Sequence, residues 1–154
     1  MKWGQKHKGV IVEVISLLFI ILFAYAGITK LMEGEIFFDN IRNSPVLGGK
    51  VTASLASWSI PLSELVVALL LVWKRTRLLG FYGALTLMLL FTGYTLAIVF
   101  FAPFRPCSCG GVISLLTWEE HLVFNLVFLL LSVFSISFSH KQKYMPRSKI
   151  HQGL

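Results

Sequence analysis

Four stretches of this chain, residues 10–28, 51–73, 78–104 and 122–139, are apolar almost without interruption. Each is close to the length of about 20 residues that a helix needs to cross a bilayer. The first holds one charge near its start, Glu13, and the second holds one inside it, Glu64; the third and fourth hold none. A spanning segment must satisfy its backbone groups without water, and runs of this length do so as helices. The expected fold class is therefore all-α: an integral membrane four-helix bundle with helices at about 10–29, 51–73, 78–102 and 119–139. These form one transmembrane domain over residues 1–140, followed by a polar, disordered tail at 141–154.

Composition agrees, with 56% hydrophobic and 14% charged residues, where soluble domains carry about 45–50% and 25%. The net charge of +7 is not spread as a nucleic-acid-binding face, so no nucleic-acid partner is expected; the lipid bilayer is. Lys2, Lys6 and Lys8 precede the first run, Lys74, Arg75 and Arg77 separate the second from the third, and Lys141, Lys143, Arg147 and Lys149 follow the fourth. Lys30, Arg42, Lys50 and Arg105 lie on the opposite side. The positive-inside rule then places both termini in the cytoplasm. A multi-pass protein of the inner (cytoplasmic) membrane is expected, with the segments after the first and third runs facing outward. Trp3, Trp58, Trp73 and Trp118 fall near expected helix ends, as interfacial anchors do. A competing reading takes Ala24-Tyr25-Ala26, after a basic start and an apolar stretch, as a signal-peptide cleavage site.

Residues 29–50 alternate Lys30, Glu33, Glu35, Asp39, Arg42 and Lys50 with Ile36, Phe37 and Phe38. This pattern reads as a short amphipathic helix lying on the outer membrane surface and ended by Gly48-Gly49.

Polar residues at helical spacing mark the faces that spanning helices turn away from lipid. The fourth helix carries His121, Asn125, Phe128, Ser132, Ser135 and Ser139 at steps of four and three; the second carries Ser54, Ser57, Pro61, Glu64 and Ala68. For the serines, close packing accounts for the pattern. Glu64 lies near the middle of the membrane, where a lone charged carboxylate costs several kcal/mol, so it should be protonated or paired. It is either a structural hydrogen-bonding group or a proton-exchanging contact for a quinone. The carbonyl freed by Pro61 is one possible partner, and Lys30, at the outer end of the first helix, is the one candidate cation in that half, although shallow. If the two stripes face each other, Glu64, His121 and Asn125 line one interior path.

Cys107 and Cys109, the only cysteines, sit one residue apart in Pro103-Phe-Arg-Pro-Cys-Ser-Cys-Gly-Gly111. A bridge between them needs a bent chain, which Pro106 and Gly110-Gly111 favour. So small a loop gains under about 2 kcal/mol from closure, which makes a poor staple, but a small strained disulfide exchanges readily. His121 follows twelve residues after Cys109 and could raise the thiolate fraction; alternatively it anchors or caps the helix. Cys107, Cys109 and His121 could also serve as three soft ligands for copper. Glu119 and Glu120 suit the first turn of a helix.

Together these residues resemble the MauE/DoxX group of redox-associated membrane proteins. The resemblance covers residues 10–138. It rests on the outward Pro-Cys-Ser-Cys-Gly-Gly segment before the last helix, the Trp118-Glu-Glu-His121 that opens that helix, Ala26-Gly-Ile-Thr-Lys30-Leu31 at the end of the first, and Pro61-Leu-Ser-Glu64-Leu in the second. It implies a four-helix bundle with Cys107, Cys109, Lys30 and Glu64 as site positions. MauE-like members are associated with maturation of methylamine dehydrogenase, whose small subunit is rich in disulfides, and DoxX-like members with quinone-linked sulfur oxidation.

The leading expectation is a membrane thiol–disulfide protein in which Cys107 and Cys109 exchange disulfides with an outward-facing thioredoxin-like or other redox partner. His121 and Glu64 assist, and Lys30, Glu64 and Asn125 contact a quinone cofactor. The alternatives are a non-catalytic subunit that docks and stabilises a redox partner, and the soft-metal site.

Overall fold

The computed structural model describes residues 3–103 and 117–143, with side chains over 9–103 and 117–139. It contains five helices: α1 (Trp3–Met32), α2 (Gly34–Arg42), α3 (Lys50–Val72), α4 (Arg77–Phe101) and α5 (Trp118–Lys143), with no strand among the described residues. Four of them, all but α2, are long and apolar enough to cross a membrane. α1 packs on α3, α3 on α4 and α4 on α5, while α5 touches α1 only sparsely. Consecutive long helices alternate in direction. One end of the bundle therefore carries α2, the end of α4 and the start of α5, and the other, the terminal end, carries the start of α1, the end of α5 and the α3–α4 turn.

The polarity of the bundle is that of a membrane protein. Large apolar side chains such as Leu17, Ile21, Leu55, Leu69, Leu89 and Leu130 are exposed on its outside, while Ser16, Glu64, Thr92, Thr95, Asn125, Ser132 and Ser135 are buried within. The buried hydroxyls bond mainly to carbonyls of their own helix: Thr92 to Met88 at 2.6 Å, Thr95 to Phe91 at 2.8 Å and Ser132 to Leu129 at 2.7 Å. Ser16 instead donates across to the Leu71 carbonyl of α3 at 3.1 Å, tying α1 to the terminal end of α3. Satisfying Ser16, Thr92, Thr95 and Ser132 in this way is what allows their hydroxyls in a nonaqueous interior; Ser135 Oγ is buried with no partner among the described residues.

The core fills the terminal half. Phe19, Phe23 and Phe81 are fully buried, and Phe128 meets Phe19 edge-on at 5.3 Å, bridging α5 to α1. α3 and α4 are pinned together on the same side. Thr76 Oγ1 donates to the Leu70 carbonyl at 2.8 Å, and Gly80 and Gly83 face Leu71 and Val67 with no room for a Cβ. Toward the other end the residues of α4 become large, and Leu87, Leu90, Phe91 and Tyr94 line one cavity with Ala56, Ile60 and Ser63 of α3. The two helices form a fork that is closed at its turn and open at the α2 end.

Four expectations from the sequence are corrected. α1 runs from Trp3 to Met32, beyond both of its expected ends, and α5 continues to Lys143, past the expected start of the polar tail; residues 144–154 lie outside the described residues. α2 ends at Arg42, well before Gly48-Gly49. It does not rest its apolar face on lipid, because Phe37 and Ile41 are buried against Ala53, Ala56 and Ile60 of α3. Ser54 is exposed on α3, so that stripe turns inward only from Ser57 onward. Trp118 is buried at 9% exposure rather than anchored in an interface, unlike Trp58 and Trp73, which are exposed at 66% and 55%.

The close approach at the fork's turn gives a test. A Cβ on Gly80 would lie 2.8 Å from Leu71 Cγ and 3.0 Å from its backbone nitrogen, whereas one on Gly93 meets nothing within 4 Å. Gly80→Val should destabilise the bundle by about 1–3 kcal/mol, read as a lower thermal midpoint in detergent, and Gly93→Val should leave the midpoint close to the parent value.

Candidate functional site

Between the arms of the fork, bounded by α1, α2 and α5, lies a cavity of about 490 Å³. Its walls are mostly apolar. Lys30, Glu64, His121 and Asn125 converge on it, and all four were singled out from the sequence as site residues. A largely apolar cavity with a few convergent polar groups is the usual form of a small-molecule site.

The polar end is built by the meeting of two sequence motifs. Gly27 lets α1 approach α3 closely: an added Cβ would sit 3.0 Å from Leu65 Cγ and 3.1 Å from the Pro61 carbonyl oxygen. One turn further along each helix, Lys30 Nζ donates to Glu64 Oε1 at 2.6 Å. The reach that looked too long follows from helix geometry. Cα–Cβ bonds tilt toward a helix N-terminus, and α1 and α3 run in opposite directions, so Lys30 leans down into the bundle and Glu64 leans up to meet it. Gly27-x-x-Lys30 and Pro61-x-x-Glu64 are thus two halves of one clasp. Glu64 binds the ammonium and not a carbonyl freed by Pro61.

The Lys30 side chain is 12% exposed and that of Glu64 1%. The ammonium is further surrounded by rings, 5.5 Å from the Phe91 centroid and 5.9 Å from that of Phe37. Aromatic faces attract a cation electrostatically without hydrating it, so α2 contributes to holding a desolvated charge by bringing in Phe37. Glu64 Oε2 is buried and has no hydrogen-bond partner among the described residues.

On the opposite wall, Asn125 Nδ2 donates to Thr95 Oγ1 at 3.2 Å, and Thr95 passes the bond on to the Phe91 carbonyl. Asn125 is thereby oriented by α4. Trp118 and His121, ring centroids 6.3 Å apart, complete this wall, and Tyr94 meets Trp118 edge-on at 6.4 Å. The Tyr94 hydroxyl donates to Ser44 Oγ at 3.0 Å, which ties the turn after α2 to α4 across the cavity's rim. Leu47, Ser59 and Leu90 line the cavity and are also exposed on the outside of the bundle, so its side opens through the fork toward lipid.

The start of α5 is fixed by a reciprocal cap. The Thr117 N–H donates to Glu120 Oε2 at 2.9 Å, and the Glu120 N–H to Thr117 Oγ1 at 3.3 Å. This is a capping box, legible in the sequence as Thr117-x-x-Glu120, and it gives Glu120 a role beyond its place near the helix dipole. Cys107 and Cys109 lie outside the described residues. The soft-metal alternative depends on them, and among the described residues no cluster of three His, Cys, Asp or Glu side chains is arranged to hold a metal. Tyr94, Phe91, Thr95, Phe37 and Trp118 were not foreseen as site residues; only the helical stripe, extended to α4, could have pointed to Thr95.

Removing one member of a buried ion pair leaves the other charge stranded, which costs about 3–5 kcal/mol, whereas removing both charges costs far less. Lys30→Met should therefore lower the thermal midpoint in detergent strongly, and Lys30→Met combined with Glu64→Gln should recover most of the loss. Simple additivity of the two substitutions would show that the pair carries no coupling.

Comparison with known proteins follows the same residues. No curated protein and no solved structure matches the chain. The family described as "Methylamine utilisation protein MauE" matches residues 8–138, a span that takes in α1 from Lys8 onward, the Lys30–Glu64 clasp, the cavity and the Cys107/Cys109 segment. With multiple spanning helices and a match over most of its length, this multi-pass membrane protein belongs to the MauE family.

Proposed function

We propose that the protein is a membrane thiol–disulfide oxidoreductase that couples Cys107 and Cys109 to a membrane-dissolved quinone. The observation that carries this reading is the cavity. It opens to lipid through the α3–α4 fork, its polar end holds Lys30, Glu64, Asn125 and His121, and Trp118 and His121 in its wall begin the helix that directly follows the cysteine-bearing segment. A lipid-soluble ring with a long tail fits such a site: the tail lies among apolar side chains, and the ring oxygens face the buried donors. Closing a disulfide from two thiols releases two electrons and two protons, which are what a quinone takes up to become a quinol. The reverse transfer balances equally.

In this reading the α2 end of the bundle faces outward from the inner membrane, where disulfides persist. The charge distribution of the sequence supports that orientation. The other redox partner is then an outward-facing protein with a thioredoxin-like or similar thiol pair, and maturation of an exported, disulfide-rich protein is the process that the family's association with methylamine utilisation suggests.

The test uses purified protein in liposomes with decyl-ubiquinone, following the Cys107/Cys109 thiols by alkylation. The parent chain should convert dithiol to disulfide with matching quinol formation, and Cys107→Ser/Cys109→Ser should abolish it. Glu64→Gln combined with Lys30→Met, which leaves no buried charge unpaired, should insert normally and slow the conversion at least about a hundredfold, the lower end of the range for loss of a proton-transfer group. Conversion at the parent rate would leave Glu64 a structural partner of Lys30 alone. Full function of the double serine variant in cells would instead favour a docking subunit.

A further inference from the structure

Lys30 belongs to two separate spaces. Besides the cavity, it lines a groove of about 470 Å³ at the α2 end, between α1, α2 and α3, together with Gly34, Glu35, Asp39, Ser57 and Trp58. Among the described residues no other lines both. The groove sets the charges of Glu35 and Asp39 among Leu31, Phe38 and Trp58 where α2 leaves α1; the cavity has mostly apolar walls and opens to lipid. Glu64 lines the cavity alone. The 2.6 Å bond between Lys30 Nζ and Glu64 Oε1 therefore joins a residue that borders both spaces to a carboxyl that borders the cavity alone.

We propose that the Lys30–Glu64 pair is a proton relay that feeds the cavity from the groove at the α2 end. A proton moves along the existing bond from the Lys30 ammonium to the Glu64 carboxylate, turning an ion pair into a neutral amine and carboxylic acid with no change in net charge. The carboxylic acid gives its proton to a basic oxygen of the cavity ligand and returns to a carboxylate. The Lys30 amine takes a proton from water in the groove and restores the ion pair. The net result of one cycle is one proton moved from groove water to the ligand, and two cycles match the two protons that accompany two-electron reduction. The titratable groups around the pair are Glu35 and Asp39 on the groove side and His121 and Tyr94 on the cavity side. The relay rests on the proposed function only in that the ligand exchanges protons; the two-sided placement of Lys30 stands apart from any redox activity.

That placement is tested by thiol accessibility in a chain carrying Cys107→Ser and Cys109→Ser. Lys30→Cys is combined with Glu64→Gln, so that no buried charge is left unpaired. Ser57→Cys reports the groove and Ser63→Cys the cavity. In nanodiscs, a small cationic methanethiosulfonate should modify Lys30→Cys within about tenfold of the rate at Ser57→Cys and at least about tenfold faster than at Ser63→Cys, because thiol modification follows exposure. Saturating decyl-ubiquinone should slow modification of Lys30→Cys at least about threefold, to the extent that it occludes the thiol, and leave Ser57→Cys unchanged. Modification of Lys30→Cys as slow as that of Ser63→Cys would overturn the relay by closing the groove side. Fast modification with no protection, while decyl-ubiquinone still quenches Trp118 in a chain with the other three tryptophans replaced by Phe, would overturn it by closing the cavity side. Absence of that quenching would count against quinone as the ligand, and so separates failure of the relay from failure of the proposed function.

Discussion

The buried ion pair between Lys30 and Glu64 is the interaction on which the rest of this bundle depends. Two charges inside a membrane protein are tolerated only if each satisfies the other and the surroundings complete the desolvated pair. The fold meets that demand with four elements. Gly27 lets α1 lie close enough to α3, the opposed directions of the two helices lean the side chains toward each other, α2 folds back to bring Phe37 over the ammonium, and α4 supplies Phe91. Remove the pair and α2 loses one of its two reasons to sit where it does, the other being the burial of Phe37 and Ile41 on α3.

The cavity follows from how the helices are tied at the opposite end. Gly80 and Gly83 draw α4 against Leu71 and Val67 near the turn, and larger residues hold the arms apart beyond Met88. A fork of this kind needs something to keep its open end from collapsing. The Tyr94–Ser44 bond, the Trp118–Tyr94 contact and the capping box at Thr117 and Glu120 do so from three sides. The frame that shapes the cavity also fixes the start of α5.

Much of this was legible in the sequence because membrane helices announce themselves by length, and a carboxyl in the middle of one is too costly to be incidental. Glu64 and Asn125 stood out as polar residues inside apolar runs, and Lys30 and His121 at the edges of such runs, and the structure brings all four to one cavity. What was not legible depends on the third dimension. The depth of Lys30, counted from the helix end, ignored the tilt of its side chain into the bundle. Trp118 near a helix end looked like an interfacial anchor, because one-dimensional position does not distinguish a residue facing lipid from one facing α4. α2 was read as amphipathic from its alternation, but that pattern says only that an apolar face is covered, not whether lipid or α3 covers it. Thr95 escaped notice because a threonine in an otherwise uncharged run carries no cost that demands explanation.

The ring cluster beneath the cavity has a consequence for energy conservation. Phe19, Phe81 and Phe128, with Val67, Ala68 and Met88 around them, fill the cross-section of the bundle on the terminal side of Glu64. Below that level the buried polar groups among the described residues are serine hydroxyls, with no titratable side chain buried in the interior. A carboxyl at membrane depth is ordinarily a leak hazard, since it offers a stepping stone for ions down an electrochemical gradient. Here the stepping stone stands on an insulating floor. Under the proposed relay, a bundle so built would trade protons with one face of its membrane while leaving the voltage across that membrane intact.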